Sequence, residues 1–448
     1  DYFSNTSSDF VKTNIAIVES KLSWGKKEAD YFFKEALAKI SLEEKKIITN
    51  PYYIKNAKKE EILFPQQIVS LLHYGRSGTG LLHSLIDNHS QISTLPSYYL
   101  CRYFSKEIWD DLTRDGWDSV IDNFINIYEV LFDARVSNPC LDTAHKNVEY
   151  FGVKEGMTAV GINKNEYLCL DKKLFKKELS ILLSNYSQID QFTFFKLVHI
   201  IFDRILNNSN KNTIFYHFHY AIDYARFNFI HQAPNSKWLV MVRDPVTSCE
   251  SWILDEFEEN DYTMLVTKLS SMLLDISDPL FSNKDAVGLR LEDLKEKPRK
   301  TMPELCKWLG VKEEESLYNM TAQGKKWWGD KSSAEQPAFG IINKSKLGKV
   351  FSDRDKLVLN TLFHPFRLKF NYVNEDKNKF KKDLKLIKPF IDGLLDFEQK
   401  IVNETQVEKS KFLQSGFYLF LRSIMNRRWE ELNKHGTYPV TLEHLKID

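Results

Sequence analysis

The sequence predicts an α/β fold, a parallel sheet with helices on both faces in three layers and helical additions at the two ends. Three observations predict it. Residues 68–72 (Ile-Val-Ser-Leu-Leu) and 238–242 (Trp-Leu-Val-Met-Val) are almost unbroken apolar runs of strand length, the pattern of strands covered on both faces. Each leads through a short turn into a helical repeat, with Leu81, Leu82, Leu85 and Ile86 after the first and residues 246–257 after the second. A third pair repeats the alternation: 286–294 reads as a strand, and a helix follows from Pro298 through Leu305, Trp308 and Leu309 to a terminating Gly310.

The chain has 448 residues, enough for one large domain with additions or for two domains. A main domain is expected over 62–372, with a helical extension over 1–61 before it and another over 373–448 after it. With 62 Lys+Arg against 61 Asp+Glu the formal charge is +1, so nothing global favours nucleic acid or an anionic membrane, and any anion site must be local. No apolar run approaches ~18 residues, so no membrane-spanning helix is expected. A cytoplasmic place follows, with a removed N-terminal signal or anchor left open because the first residue is Asp1. The five cysteines are scattered without metal-ligand spacing, which predicts reduced thiols and no metal site.

Trp24, Tyr31, Phe32, Phe33, Ala36 and Leu37 fall at helical spacing in the N-terminal extension. After the first strand-turn-helix unit, 91–95 reads as a short strand ended by Pro96. Residues 97–190 are rich in aromatics and short helical patterns such as Trp117, Ile121, Phe124, Ile125 and Tyr128; they form a helical insert where substrate recognition would sit. Phe194, Phe195, Val198, Ile201, Phe202 and Ile205 describe a core helix that carries Lys196 and His199 along as ordinary residues. Residues 211–219 alternate as a strand with Phe215, His217 and His219 on one face. Towards the end, 374–385 reads as a charged linker, and Leu413, Phe417, Phe420, Leu421 and Ile424 as a helical stripe for packing, oligomer contact or a membrane surface.

The chemistry is concentrated between residues 73 and 80, His-Tyr-Gly-Arg-Ser-Gly-Thr-Gly. Gly75, Gly78 and Gly80 permit a tight turn with its N–H groups facing inward, and the N-terminus of the following helix favours an anion. Gly75 and Gly80 fall on the two glycines of the NTPase loop G-x-x-x-x-G-K-[ST]. Leu81 and Leu82 stand where that loop needs lysine and the Mg²⁺-holding hydroxyl. The cation lies inside the loop instead, as Arg76, whose guanidinium can hold a phosphate or sulfate by charge-assisted bonds without a metal.

Gly75-Arg76-Ser77-Gly78-Thr79-Gly80-Leu81 resembles the 5′-phosphosulfate loop of the sulfotransferases that use 3′-phosphoadenosine 5′-phosphosulfate (PAPS). Arg243, at the end of the 238–242 strand, and Ser251, eight positions later, resemble their 3′-phosphate motif. The Lys344, Lys346 and Gly348 segment is similar to the basic, glycine-containing stretch that closes over the 3′-phosphate. The resemblance implies the three-layer, P-loop-like sulfotransferase fold. It also implies PAPS as donor, adenosine 3′,5′-bisphosphate as product, and an acceptor hydroxyl on a carbohydrate or small molecule. Arg76 would then be catalytic, and a histidine two dozen residues before Arg243 would be the base: His219, or His217 on the same strand face. Each of these histidines is otherwise a hydrogen-bonded core residue.

This chain departs from the family in three places. Gly80 replaces a second threonine, and Leu81 and Leu291 stand where aromatics stack on adenine, leaving Trp327 or Trp328 as substitutes. Residues 95–98 (Leu-Pro-Ser-Tyr) hold no carboxylate, which disfavours a protein tyrosine as acceptor. The rival readings are an ATP- and Mg²⁺-dependent kinase or NTPase and a non-catalytic nucleotide-binding scaffold.

Overall fold

Six strands run parallel in one sheet: β1 (Gln67–His73), β2 (Ile92–Thr94), β3 (Thr213–His217), β4 (Lys237–Val242), β5 (Ala286–Arg290) and β6 (Glu443–His444). The computed structural model that shows them describes residues 21, 31, 34–38, 40, 47–55, 61–96, 99–136, 151–208, 211–218, 223–278, 281, 285–331, 333–342 and 347–447. The principal helices are α1 (Thr79–Ile86), α2 (Val120–Ile127), α3 (Lys172–Leu183), α4 (Gln191–Ile205), α5 (Asp223–Gln232) and α6 (Pro245–Glu258). After them come α7 (Tyr262–Asp275), α8 (Leu291–Glu296), α9 (Pro298–Leu309), α10 (Asp353–Leu362), α11 (Lys377–Ile391) and α12 (Gly416–His435).

The continuous apolar runs have a direct cause, since helices cover both faces of the sheet. Val69, Leu71, Phe215, Leu239, Met241 and Leu289 enter one core with Leu82, Leu85 and Ile86 of α1 and Met302, Leu305 and Leu309 of α9. Ile68, Leu72, Ile214, Tyr216, Trp238, Val240 and Val242 enter the larger core on the opposite face, shared with Ile253 of α6 and Leu269 of α7. The expected three-layer parallel architecture is what the chain forms.

Strand order decides where a ligand fits. The order is β6-β5-β4-β1-β3-β2. From β1 the chain crosses β3 to reach β2, whereas from β4 it goes the other way to β5. The connections therefore leave β1 and β4 in opposite directions, opening a crevice at their C-terminal ends. The register aligns His73 with Met241, so the 74–78 turn and Arg243 emerge side by side.

Four expectations need correction or completion. Residues 374–385 are not a linker: α11 begins at Lys377, capped by the Asp376 carboxylate, and buries Phe380, Leu384, Ile387 and Ile391 while its lysines face outward. The extended reading of 286–294 holds only to Arg290, after which α8 starts with Glu292 and Asp293 in its first turn, favoured by the helix dipole. The C-terminal stripe splits, because α12 buries Leu421 and Ile424 but leaves Phe417 and Phe420 exposed. Past α12 the chain returns to the sheet as β6, where the Leu445 N–H meets the Gly288 carbonyl at 2.9 Å. His199 is structural as expected, since its Nδ1 lies 2.9 Å from the Ser93 hydroxyl and joins α4 to β2. Of the N-terminal expectations, Trp24, Phe32 and Phe33 lie outside the described residues. Among the described residues no helix is long and apolar enough to cross a membrane.

Candidate functional site

The turn between β1 and α1 is built by what its neighbours force on it. The Tyr74 N–H reaches the Met241 carbonyl at 3.3 Å, so β4 still holds the chain as β1 ends. Gly75 then takes φ 60°, and the Ser77 N–H closes back on the Gly75 carbonyl at 3.0 Å. A side chain at Gly75 would meet the Ser248 Oγ at 2.7 Å, and that hydroxyl itself donates to the Tyr74 carbonyl at 2.7 Å. The turn is thus seated directly on α6. Gly78 caps α1 at φ 88° with no side-chain cap, and the first intrahelical bond runs from Leu82 N–H to the Gly78 carbonyl at 3.1 Å. That leaves the N–H groups of Thr79, Gly80 and Leu81 at the open end of the helix, without an intrahelical acceptor.

Gly78 offers a test of this geometry. Its position lies in the left-handed region, and a Cβ there would sit 2.5 Å from Cδ1 of Leu291. Gly78→Ala should cost about 1 to 2 kcal/mol for the conformation alone. Because Leu291 is a flexible neighbour, adding Leu291→Ala should restore only part of the loss. Full recovery of melting temperature in the double variant would show that the turn does not need the left-handed backbone.

Arg243 follows β4 and is buried, 7 % exposed, with Nη1 donating to the Arg76 carbonyl at 3.4 Å. Burial pulls its pKa below the ordinary value, with Glu292, Tyr372 and Asp244 opposing. Those carboxylates are engaged elsewhere. Asp244 accepts the Thr247 N–H at 3.1 Å and pairs with Nε of Arg367 at 2.8 Å, while Glu292 accepts the Tyr372 hydroxyl at 3.0 Å. Among the described residues none closes an ion pair with Arg243. A buried cation left so is expensive unless an anion joins it.

Arg76 is directed outward. Its Nη2 lies 3.3 Å from Asp255 of α6, in a pair whose side chains are 38 % and 59 % exposed. Such a pair contributes ~0 to 1 kcal/mol, so the guanidinium is not locked there. Inside the turn, the Ser77 hydroxyl is 1 % exposed and has no hydrogen-bond partner among the described residues. Ser251 is buried on α6, one turn beyond Thr247 and Ser248. Gly348, at φ 79°, is brought to the same helix, its N–H 2.9 Å from the Glu250 carboxylate. The structure therefore brings Arg243 to the 75–81 turn, seats that turn on the helix that carries Ser251, and holds Gly348 to the same helix. His219, Lys344 and Lys346 lie outside the described residues.

His217 ends β3 and is buried, aligned with Leu71 and thus two residues deeper than the end of β1. Its ring is edge-on to His73 at 6.1 Å and tilted against His83 at 6.4 Å. Neither His73 nor His83 stood out in the sequence, because only the strand order puts β1, β3 and α1 together. His73 is partly exposed, and its Nδ1–H donates to the Gly75 carbonyl at 2.7 Å. Burial holds His83 down at about 4, against the opposing pull of Asp87 and the Leu95 carbonyl, and it is neutral at pH 7. Among the described residues no group of His, Cys, Asp and Glu could hold a metal ion.

The tryptophans take structural positions. Trp327 is buried, donates to the Glu155 carbonyl at 2.9 Å, and lies 3.8 Å from where a Gly80 side chain would begin. Trp328 donates to the Gly161 carbonyl at 2.7 Å and carries the Lys326 ammonium 3.6 Å above its ring. Trp327 joins the insert to the start of α1, whereas Trp328 holds the insert at Gly161. Leu291 packs on Gly78, so the wall beside the turn is aliphatic.

No family model matches the chain, and no curated protein matches it. Among solved structures, it is similar to a sulfotransferase domain from the curacin biosynthetic pathway, at 16% identity and a TM-score of 0.35, covering 77% of this chain and 98% of that one. It is also similar to a sulfotransferase domain from the Synechococcus PCC 7002 olefin synthase, at 12% identity and a TM-score of 0.33, covering 83% of this chain and 98% of that one.

Proposed function

We propose that this chain is a sulfotransferase that moves a sulfuryl group from PAPS to a hydroxyl of a carbohydrate or small-molecule acceptor. The observation that supports this most is Arg243, a buried guanidinium without an ion pair among the described residues, beside the open N-terminus of α1. Two separate anion-seeking positions suit a nucleotide with charged groups on both its 5′ and its 3′ oxygens. A nucleotide charged only at its 5′ end would use the first alone. The Ser77 hydroxyl, without a hydrogen-bond partner among the described residues, adds a further polar group within the turn.

In this reading the N–H groups of Thr79, Gly80 and Leu81, together with Ser77 and Arg76, hold the 5′-phosphosulfate. Arg243 and Ser251 read the 3′-phosphate, with Lys344, Lys346 and Gly348 closing over it. As the acceptor oxygen bonds to sulfur, the bond from sulfur to the bridging phosphate oxygen breaks, and charge grows on that oxygen. Arg76 and the helix N-terminus stabilise that charge, which is where preorganised donors lower a barrier most. The acceptor proton passes to a histidine, either His219 or His217, the latter at the end of β3. Adenosine 3′,5′-bisphosphate then leaves. The insert, joined to α1 through Trp327, supplies the acceptor side.

A transfer assay with sulfuryl-labelled PAPS against hydroxyl acceptors tests this, run with and without EDTA. Turnover should survive chelation, because Leu81 and Leu82 replace the residues that would bring Mg²⁺ to the loop. Activity on ATP that EDTA abolishes and Mg²⁺ restores would establish a kinase instead. Nucleotide binding without transfer to any acceptor class would establish a scaffold.

A further inference from the structure

Glu250 lies on α6 immediately before Ser251 and is buried, 2 % exposed. One of its oxygens, Oε1, accepts three backbone N–H groups from a single turn: Gly348 at 2.9 Å, Val350 at 3.1 Å and Phe351 at 3.1 Å. A carboxylate beside a phosphate-reading serine would ordinarily repel the phosphate. Here its charge is spent on amides, which it holds at the strength of charge-assisted bonds. Val350 and Phe351 are themselves buried in the larger core, so the turn is fixed from below by packing and from the side by Glu250. Gly348, whose φ is 79°, and the exposed Lys349 stand at the open end of the arrangement.

We infer that Glu250 is a positioning residue for 3′-phosphate recognition: it latches the 348–351 turn to the helix that carries Ser251 and follows Arg243. This rests on the PAPS reading and adds to it a residue that never touches the nucleotide. The latch makes recognition of the 3′-phosphate depend on a turn about a hundred residues away in the chain.

The test compares adenosine 3′,5′-bisphosphate with AMP on the full chain. In the wild type, hydrogen exchange at the amides of Gly348, Val350 and Phe351 should slow more with bisphosphate than with AMP. Glu250→Ala should reduce the bisphosphate-to-AMP affinity ratio about tenfold or more, with KM for PAPS rising far more than kcat falls. Glu250→Gln keeps a carbonyl acceptor and should recover most of the ratio. If the wild type binds both nucleotides equally, the PAPS reading itself fails. If the wild type discriminates but Glu250→Ala discriminates equally well, or the exchange of these amides responds alike to both nucleotides, only the latch is overturned. The exchange measurement decides the matter even if Glu250→Ala does not fold.

Discussion

Arg243→Ala is expected to weaken binding of adenosine 3′,5′-bisphosphate by about 10- to 150-fold and to leave AMP binding within a few-fold of wild type. The range is the ~1.5 to 3 kcal/mol typical of a charge-assisted bond to an ionised group. The selectivity comes from position. Arg243 follows β4 and donates to the Arg76 carbonyl rather than to a group on α1, so a 5′-phosphate seated on the first-turn amides of α1 should not register its loss. Removing a buried cation that has no ion pair among the described residues should not destabilise the free protein, and relief of the desolvation penalty should hold or raise its melting temperature. The check is the shift in melting temperature produced by each nucleotide in both proteins. Equal losses for bisphosphate and AMP would mean that Arg243 supports the fold of the site rather than one phosphate.

Arg76→Ala is expected to lower turnover by ~10² to 10³, the usual consequence of losing one donor aimed at developing charge. Affinity for the bisphosphate product should fall much less, because the α1 amides and Arg243 remain. In the resting molecule the Arg76 guanidinium lies against Asp255, so Asp255→Ala serves as the contrast. That half-exposed pair holds Arg76 weakly, and its removal should change kcat by no more than a few-fold. A large loss in the Asp255 variant would mean that the outward position of Arg76 is itself functional.

The parts of this site that were readable in the sequence are those fixed by local chemistry. Gly75 and Gly78 announce a turn because both adopt positive φ, and the apolar runs at β1 and β4 announce buried strands because both sheet faces are covered. Arg243 and Ser251 were readable because they share a strand end and the helix that follows it. What was not readable depends on chain segments meeting from a distance. Glu250 meets the 348–351 turn across 98 to 101 residues, and nothing in its own neighbourhood marks it. The His73, His83 and His217 cluster exists only because β3 lies next to β1, an order that follows from crossover connections rather than from local pattern. Helix α11 was hidden by its lysines, which mask an apolar stripe at Phe380, Leu384, Ile387 and Ile391. Leu291 belongs by composition to the strand before it, but the acidic pair Glu292 and Asp293 turns it into the start of α8.

The claim that two distinct anion positions serve one nucleotide is tested most directly by calorimetric titration of the wild-type chain. Adenosine 3′,5′-bisphosphate and AMP would be titrated in parallel, in the presence of EDTA. The account predicts that the bisphosphate binds at least about tenfold more tightly than AMP, without any metal, as one added charge-assisted contact requires. Equal affinities for the two nucleotides, or bisphosphate binding that appears only when Mg²⁺ is restored, would contradict it.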